Sequence, residues 1–180
     1  DDAINIYGSD KPDLRFDLKI NDITEIFKNT NIGMFKDVIE NKGIINCIVV
    51  KNNISHFSRK ELDKLTEFVK QYKAKGLANL KIGEEISGSI AKLISEEELN
   101  LLTNKLNLTK DDVILIVADK KQIVKQSLGA LRCHLGNELN MIDKNDYKTL
   151  WVTDFPTFEW SETENRFMAM HHPFTAPKDT

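Results

Sequence analysis

The chain has 180 residues, and its 25 Lys and Arg against 28 Asp and Glu leave a formal net charge of −3, so no bulk electrostatic drive toward nucleic acid exists, although a local basic face is compatible with that balance. Apolar residues at 41% and charged residues at 29% are globular proportions, which exclude disorder over most of the length and allow a real core. No apolar run approaches the roughly 18 to 20 residues of a bilayer span, and the opening "DDAINIYG" is acidic rather than a basic leader, so a cytoplasmic protein with no membrane partner is expected.

The first fifteen residues include "YGSDKPDLR", a turn-rich stretch with few apolar side chains. "FDLKI" at Phe16 to Ile20 then reads as a short strand. Asp22 followed by Glu25 predicts a helix start, because a short acceptor side chain can take a free backbone N–H while the acid three positions on reaches back. "GIINCIVV" at Gly43 to Val50 is a near-continuous β-branched run, as expected of a strand buried on both faces.

Ser58 with Glu61 predicts the next helix, reinforced by Phe57 and Leu62 as a staple pair. Its apolar stripe, Leu62, Leu65, Val69 and Tyr72, lies on one face, and Gly76 offers a left-handed stop. "ANLKI" at Ala78 to Ile82 is a short strand candidate, and Ser95 with Glu98 opens another helix, with Ile94 and Leu99 as its staple.

"DVILIVAD" at Asp112 to Asp119 repeats the pattern of a doubly buried strand. Asp119 with Gln122 then predicts a helix start, and Val124, Leu128, Leu131, Leu135 and Leu139 form a core-facing stripe. After Asp143 the chain reads as loop and strand rich in aromatics and prolines, with "LWVTDF" at Leu150 to Phe155 as a strand. Interleaved helices and strands imply an α/β or α+β domain with helices packed on a mixed sheet. The composition shifts divide it into a compact unit at residues 16–142 and flanking segments at 1–15 and 143–180.

Three places could carry chemistry. His171 and His172 stand side by side in "AMHHPFTAP"; on extended backbone neighbouring side chains point to opposite faces, so the pair cannot easily share one metal, and no further ligands stand nearby. "GSDKPD" at Gly8 to Asp13 is good turn chemistry and lacks the glycine spacing of a phosphate loop. Asp154, Glu159, Glu162 and Glu164 surround aromatics and could do acid–base work only if they converge, so a solvated acidic loop is the simpler account. Lys70, Lys73 and Lys75 likewise read as a solvated face. Cys47 and Cys133 are too few for a disulfide framework and are expected to be small core residues in a reducing compartment.

Taken in order, "YGSDKPDLRF", "AKGLANLKI", "GALRCHLGNEL" and "LWVTDFPTFEW…AMHHPFTAP" resemble successive segments of bacterial-type aspartyl-tRNA synthetases over essentially the whole length. The end motifs are the specific ones. That resemblance implies an α/β module, shared with the B subunit of the tRNA-dependent amidotransferase, inserted into a class II antiparallel catalytic sheet. Residues 1–15 would be the exit from the catalytic core, 16–142 the insert and 143–180 the return segment, making the chain a cut-out of a longer enzyme.

By the same resemblance, His171 matches the histidine that contacts L-aspartate and His172 its neighbour in the loop closing over the pocket. The parent would be an aspartate–tRNA ligase using ATP and Mg2+ with tRNA and L-aspartate as partners, and a homodimer. The family's ATP-gripping arginines, glycine-rich third motif and anticodon-binding barrel have no match in this sequence, so no catalytic, ATP or metal residues are assigned and the isolated piece is expected to be inactive. A free-standing tRNA-binding or protein-interaction module sharing the insert fold is the alternative, and a histidine metal site a third.

Overall fold

A computed structural model of the chain describes residues 2–161 and 163–170. The histidine pair at 171 and 172, and Glu162, lie outside the described residues. The chain divides into two compact units, one ending at Lys148 and one beginning at Thr149.

The first unit runs α1 (Asp2–Tyr7), β1 (Asn21–Asp22), a 3-10 turn (Thr24–Phe27), α2 (Gly33–Glu40), β2 (Ile44–Val50), α3 (Arg59–Lys70), β3 (Ala78–Ile82), β4 (Ile86–Ser87), α4 (Glu96–Leu106), β5 (Val113–Asp119) and α5 (Lys121–Glu138). The five strands form one sheet in the order β1-β2-β5-β3-β4. Every pairing within it is antiparallel, so the mixed α/β architecture holds while the sheet itself contains no parallel neighbours.

β2 and β5 lie at the centre in full register, Ile44 opposite Asp119 through Val50 opposite Val113. Because strand side chains alternate, these two β-branched runs feed two cores at once. Ile48, Val50, Val113, Leu115 and Val117 pack under α3 and α5, against Leu62, Leu65, Val69, Val124, Leu128, Leu131 and Leu135. Ile45, Cys47, Ile114 and Ile116 face the other way, onto Phe27, Phe35, Leu102 and Leu106 of the 3-10 turn, α2 and α4. An antiparallel sheet covered by helices on both faces explains why its strands lack the polar alternation of a half-exposed sheet.

Local signals set two of the four predicted helix starts. Ser58 Oγ accepts from the Glu61 N–H at 3.2 Å. Ser95 makes the full capping box, its Oγ accepting from Glu98 N–H at 3.3 Å while Glu98 accepts from Ser95 N–H at 2.8 Å.

The other two predicted starts differ. Asp22 accepts from Thr24 N–H at 2.9 Å and opens only a 3-10 turn, because its own backbone is engaged with β2. Asp119 is the last residue of β5, and its Oδ1 accepts from the adjacent Lys120 N–H at 2.8 Å; Lys120 sits at the start of α5 without a side-chain cap.

Further corrections follow the packing. Phe16, Leu18 and Ile20 are buried and Asp17 and Lys19 exposed, but the segment is unpaired as a strand: Leu18 takes a positive φ of 67°, and the segment is pinned by side-chain donors rather than by a ladder. α3 ends through Lys73 at φ 70°, not through Gly76, and Tyr72 stays exposed. Cys133 is exposed on α5, whereas Cys47 is buried and its thiol is pushed far up by loss of solvation.

The second unit holds a two-stranded ribbon, β6 (Phe158–Ser161) and β7 (Arg166–Ala169), antiparallel with Trp160 opposite Phe167. Leu150 to Phe155, predicted as a strand, carries no strand among the described residues; Asp154 has φ 60°, which breaks extended pairing.

Candidate functional site

The turn "GSDKPD" behaves as its composition dictates. Ser9 Oγ accepts from Lys11 N–H at 3.0 Å, and Asp13 is gripped by the Arg15 side chain at 2.7 and 3.0 Å, which holds its carboxyl below the usual carboxylate range despite partial burial. The turn is structural, and what it builds is a seam with α5.

Four α5 residues make the other side of that seam: Lys125, Gly129, Arg132 and Gly136, spaced four, three and four apart and therefore on one helical face. Lys125 Nζ donates to the Asn5 carbonyl at 2.9 Å. With the Asn46 amide oriented so that its oxygen faces inward, the same Nζ donates to it at 2.7 Å, so a buried lysine head is bonded from both α1 and β2. Burial holds the Lys125 pKa down from its ordinary value, opposed by Asp22.

Arg132, wholly buried, lies over the rings of Phe16 at 4.3 Å and Tyr7 at 5.0 Å. Its guanidinium donates to the carbonyl oxygens of Asp13, Phe16, Asp17 and Leu18 at 3.0 to 3.4 Å. Those carbonyls belong to the stretch that fails to form a strand, so the arginine supplies the donors a neighbouring strand would have supplied. "YGSDKPDLRF" and "GALRCHLGNEL", distant in sequence, are two halves of one contact.

A second cluster forms between α3 and α5. Glu138 lies between His56 (Nε2 to Oε1, 3.3 Å) and His134 (Nε2 to Oε2, 3.2 Å), and Phe68 stacks on His134 at 4.5 Å. Glu61 sits beside it, its carboxyl held below the usual range chiefly by the bond from Lys64. Among the described residues no three His, Cys, Asp or Glu side chains converge as a metal site.

Among the described residues, the acidic side chains of the second unit do not gather into a metal-ligating group. Glu164 pairs with Arg166 at 3.6 Å, Asp154 accepts from Thr153 Oγ1 at 2.9 Å, and Glu159 stands exposed on β6 opposite Met168.

A half-open cavity of about 720 Å³ lies at the end of β5. It exists because β3 begins opposite Ile116, which leaves Val117 to Asp119 with β2 on one side and no strand on the other. Phe35, Val38, Ala78 and Ile116, all buried, form its apolar walls, while the exposed Lys73, Lys75 and Lys120 stand at its rim with Asp37 and Asn41. Asp119 also lines it: the residue is 6% exposed, and its Oδ2 has no hydrogen-bond partner. Lys70 lies apart from it, paired with Glu67 at 2.6 Å.

Comparison with known proteins identifies this unit, because the profile of the GAD domain matches residues 35–128, from α2 into α5. The chain belongs to the GAD domain family. The GAD match spans β2 to β5 and the cavity but stops before Arg132. Beyond it, the chain is 49% identical over 98% of its length to the aspartate–tRNA(Asp/Asn) ligase of Bacillus cytotoxicus. It is 48% identical over 98% of its length to the aspartate–tRNA ligase of Clostridium botulinum. The chain spans about 30% of the length of either relative.

Lys125, Arg132 and Asp119 were invisible as site or seam residues to a reading that sought catalytic motifs. One signal was available: basic residues at 125 and 132 alternate with glycines at 129 and 136 on a second face, beside the unbroken apolar stripe of a core helix.

Proposed function

We propose that the chain is the region of an aspartate–tRNA ligase that carries the GAD domain, with residues 16–142 as the insert and residues 1–15 and 143–180 as segments of the catalytic core. The parent activates L-aspartate with ATP and Mg2+ and passes it to tRNA, in the cytoplasm and as a homodimer. His171 contacts the amino acid and His172 flanks it in the same loop. ATP and Mg2+ are held by parts of the ligase other than the described residues.

The observation that carries this reading is the reach of the similarity. It runs at 48 to 49% identity over 98% of the chain, past both ends of the GAD match at 35–128. A free-standing module sharing only the fold has no reason to match along its flanks, and that reading is disfavoured. The second unit adds support: Trp151 is 95% exposed and Phe167 66% exposed, and a two-stranded ribbon is marginal alone, so such side chains call for cover from further sheet.

The test uses the full-length gene product. ATP–pyrophosphate exchange is expected with L-aspartate and not with other amino acids. His171→Ala is expected to lower kcat/KM for aspartate by roughly ten- to a hundred-fold, the loss of about one hydrogen bond to a charged group, with KM for ATP little changed. Exchange without aspartate dependence, or unaltered kinetics in the variant, would overturn the reading.

A further inference from the structure

We propose that the cavity at the end of β5 binds a nucleotide, with the base seated on Asp119 and the phosphate at the lysine rim. The inference rests on the GAD unit alone, so it stands or falls independently of the ligase reading.

Asp119 is the starting point. A carboxylate oxygen buried in a cavity wall with no donor is costly, and native structures leave few such atoms without a reason. Its other oxygen accepts from the Lys120 N–H at 2.8 Å. An ionised carboxylate only accepts, so the missing partner is an N–H or O–H donor. No third acidic or histidine ligand converges with it among the described residues, which argues against a metal ion.

The surroundings narrow the class. Phe35, Val38 and Ile116 offer flat apolar walls beside the carboxylate, suited to a ring with N–H groups on its edge. Lys73 and Lys75, from the loop after α3, and Lys120, at the start of α5, stand at the same mouth, where the first turn of α5 also lacks a side-chain cap. Cations and free helical N–H groups together suit a phosphate.

A nucleotide joins a donor edge, a flat ring and a phosphate in one molecule, and a cavity of about 720 Å³ admits it. Guanine fits the carboxylate best because, of its two adjacent N–H groups, one can donate to the unpartnered Oδ2 and the other to the remaining lone pair of Oδ1. Adenine and cytosine offer one amino group, and uracil flanks its single N–H with carbonyl oxygens that would face the carboxylate.

The same chemistry could come from a free nucleotide or from an unpaired residue of an RNA strand. Amide chemical shifts of the 180-residue chain are followed while GMP, AMP, CMP, UMP, inorganic phosphate or a short single-stranded guanosine-containing RNA is added. GMP is expected to move the amides around residues 37–43, 73–76 and 118–123, with UMP weakest. Asp119→Asn is expected to weaken GMP at least about tenfold, since the replacement amide presents its own donors to the base. Ile123→Trp, which fills the cavity from α5, is expected to abolish the shifts and serves if Asp119→Asn fails to fold.

Tighter binding of the RNA than of GMP, lost in the variants, supports the proposal with RNA as the source; equal or tighter GMP supports it with the free nucleotide. Absence of cavity shifts with every nucleotide, shifts reproduced in full by inorganic phosphate, or GMP binding that survives Ile123→Trp would each overturn it.

Discussion

Gly8 and Gly129 meet backbone to backbone: a Cβ on Gly129 would lie 2.5 Å from the Gly8 carbonyl oxygen, and one on Gly8 would lie 2.6 Å from the Gly129 Cα. Gly8 also holds φ at 70°, a conformation that disfavours any other residue. Gly129 lies inside an 18-residue helix, where alanine would ordinarily gain roughly 1 kcal/mol. Here the clash with backbone reverses the sign. Gly129→Ala is expected to destabilise the protein by about 1 to 3 kcal/mol in urea unfolding and to expose the segment before Ile20 to protease. Unchanged or raised stability would show that α1 is not seated on α5 as described.

Arg132 closes the same seam. Arg132→Met keeps a flexible stem but removes every donor to the carbonyls of Asp13, Phe16, Asp17 and Leu18, leaving those of Phe16 and Leu18 buried without it. A loss of about 3 kcal/mol is expected from unfolding midpoints. Arg132→Lys is expected to recover only a fraction, because one ammonium cannot span the carbonyls that a planar fork reaches.

Asp112 supplies a pH test. Its side chain is fully buried, and it accepts from Lys51 Nζ at 2.8 Å, Thr109 N–H at 2.7 Å and Asn52 N–H at 3.1 Å, tying the end of β2 to the turn between α4 and β5. Burial pushes its carboxyl up, but the bonds from Lys51, Thr109 and Asn52 outweigh that and hold its pKa below 3.8. A depressed folded pKa means the stabilisation is complete above the unfolded value and is lost as pH falls through the folded one. Asp112→Asn is therefore expected to cost about 2 kcal/mol at pH 7 and to approach wild type as pH falls through the depressed folded value, read from urea unfolding across an acid pH series. A difference independent of pH would show that the charge plays no part.

Ser95 tests a feature visible in the residues themselves. Ser95→Ala removes the Oγ that accepts from Glu98 N–H at 3.3 Å and donates to its carboxylate at 2.8 Å. The expected loss is about 1 kcal/mol, confined in hydrogen exchange to the first turn of α4. Uniform loss of protection across the sheet would mean that the helix is a global rather than a local support.

Helices α3, α4 and α5 and the two central strands were legible because their signals are local, whereas α1 and α2 carry no such start signal and were not read from the sequence. Ser58 and Ser95 cap with atoms three residues away, and the β-branched runs at 44–50 and 113–119 could be buried only inside a layered sheet. The errors fall where distant groups compete. Asp22 and Asp119 carry cap chemistry yet are held by strand pairing, and Phe16 to Ile20 has strand composition yet gives its carbonyls to Arg132. The histidine pair stood out by composition, whereas Asp119 did not, since an aspartate at the end of a strand is ordinary until its surroundings are known.

The amino-acid order by itself determined α3, α4 and α5, the two central strands with their two-sided burial, and the resemblance along the chain, because those depend on periodicity and on contacts within a turn of helix or a strand. The tertiary structure alone decided what faces what: the seat of the N-terminal segment on Lys125, Gly129 and Arg132, and the gap where β3 stops short of Asp119. Both arise from groups dozens of residues apart competing for the same buried donors and acceptors. Which one wins is settled by geometry in three dimensions, not by spacing along the chain.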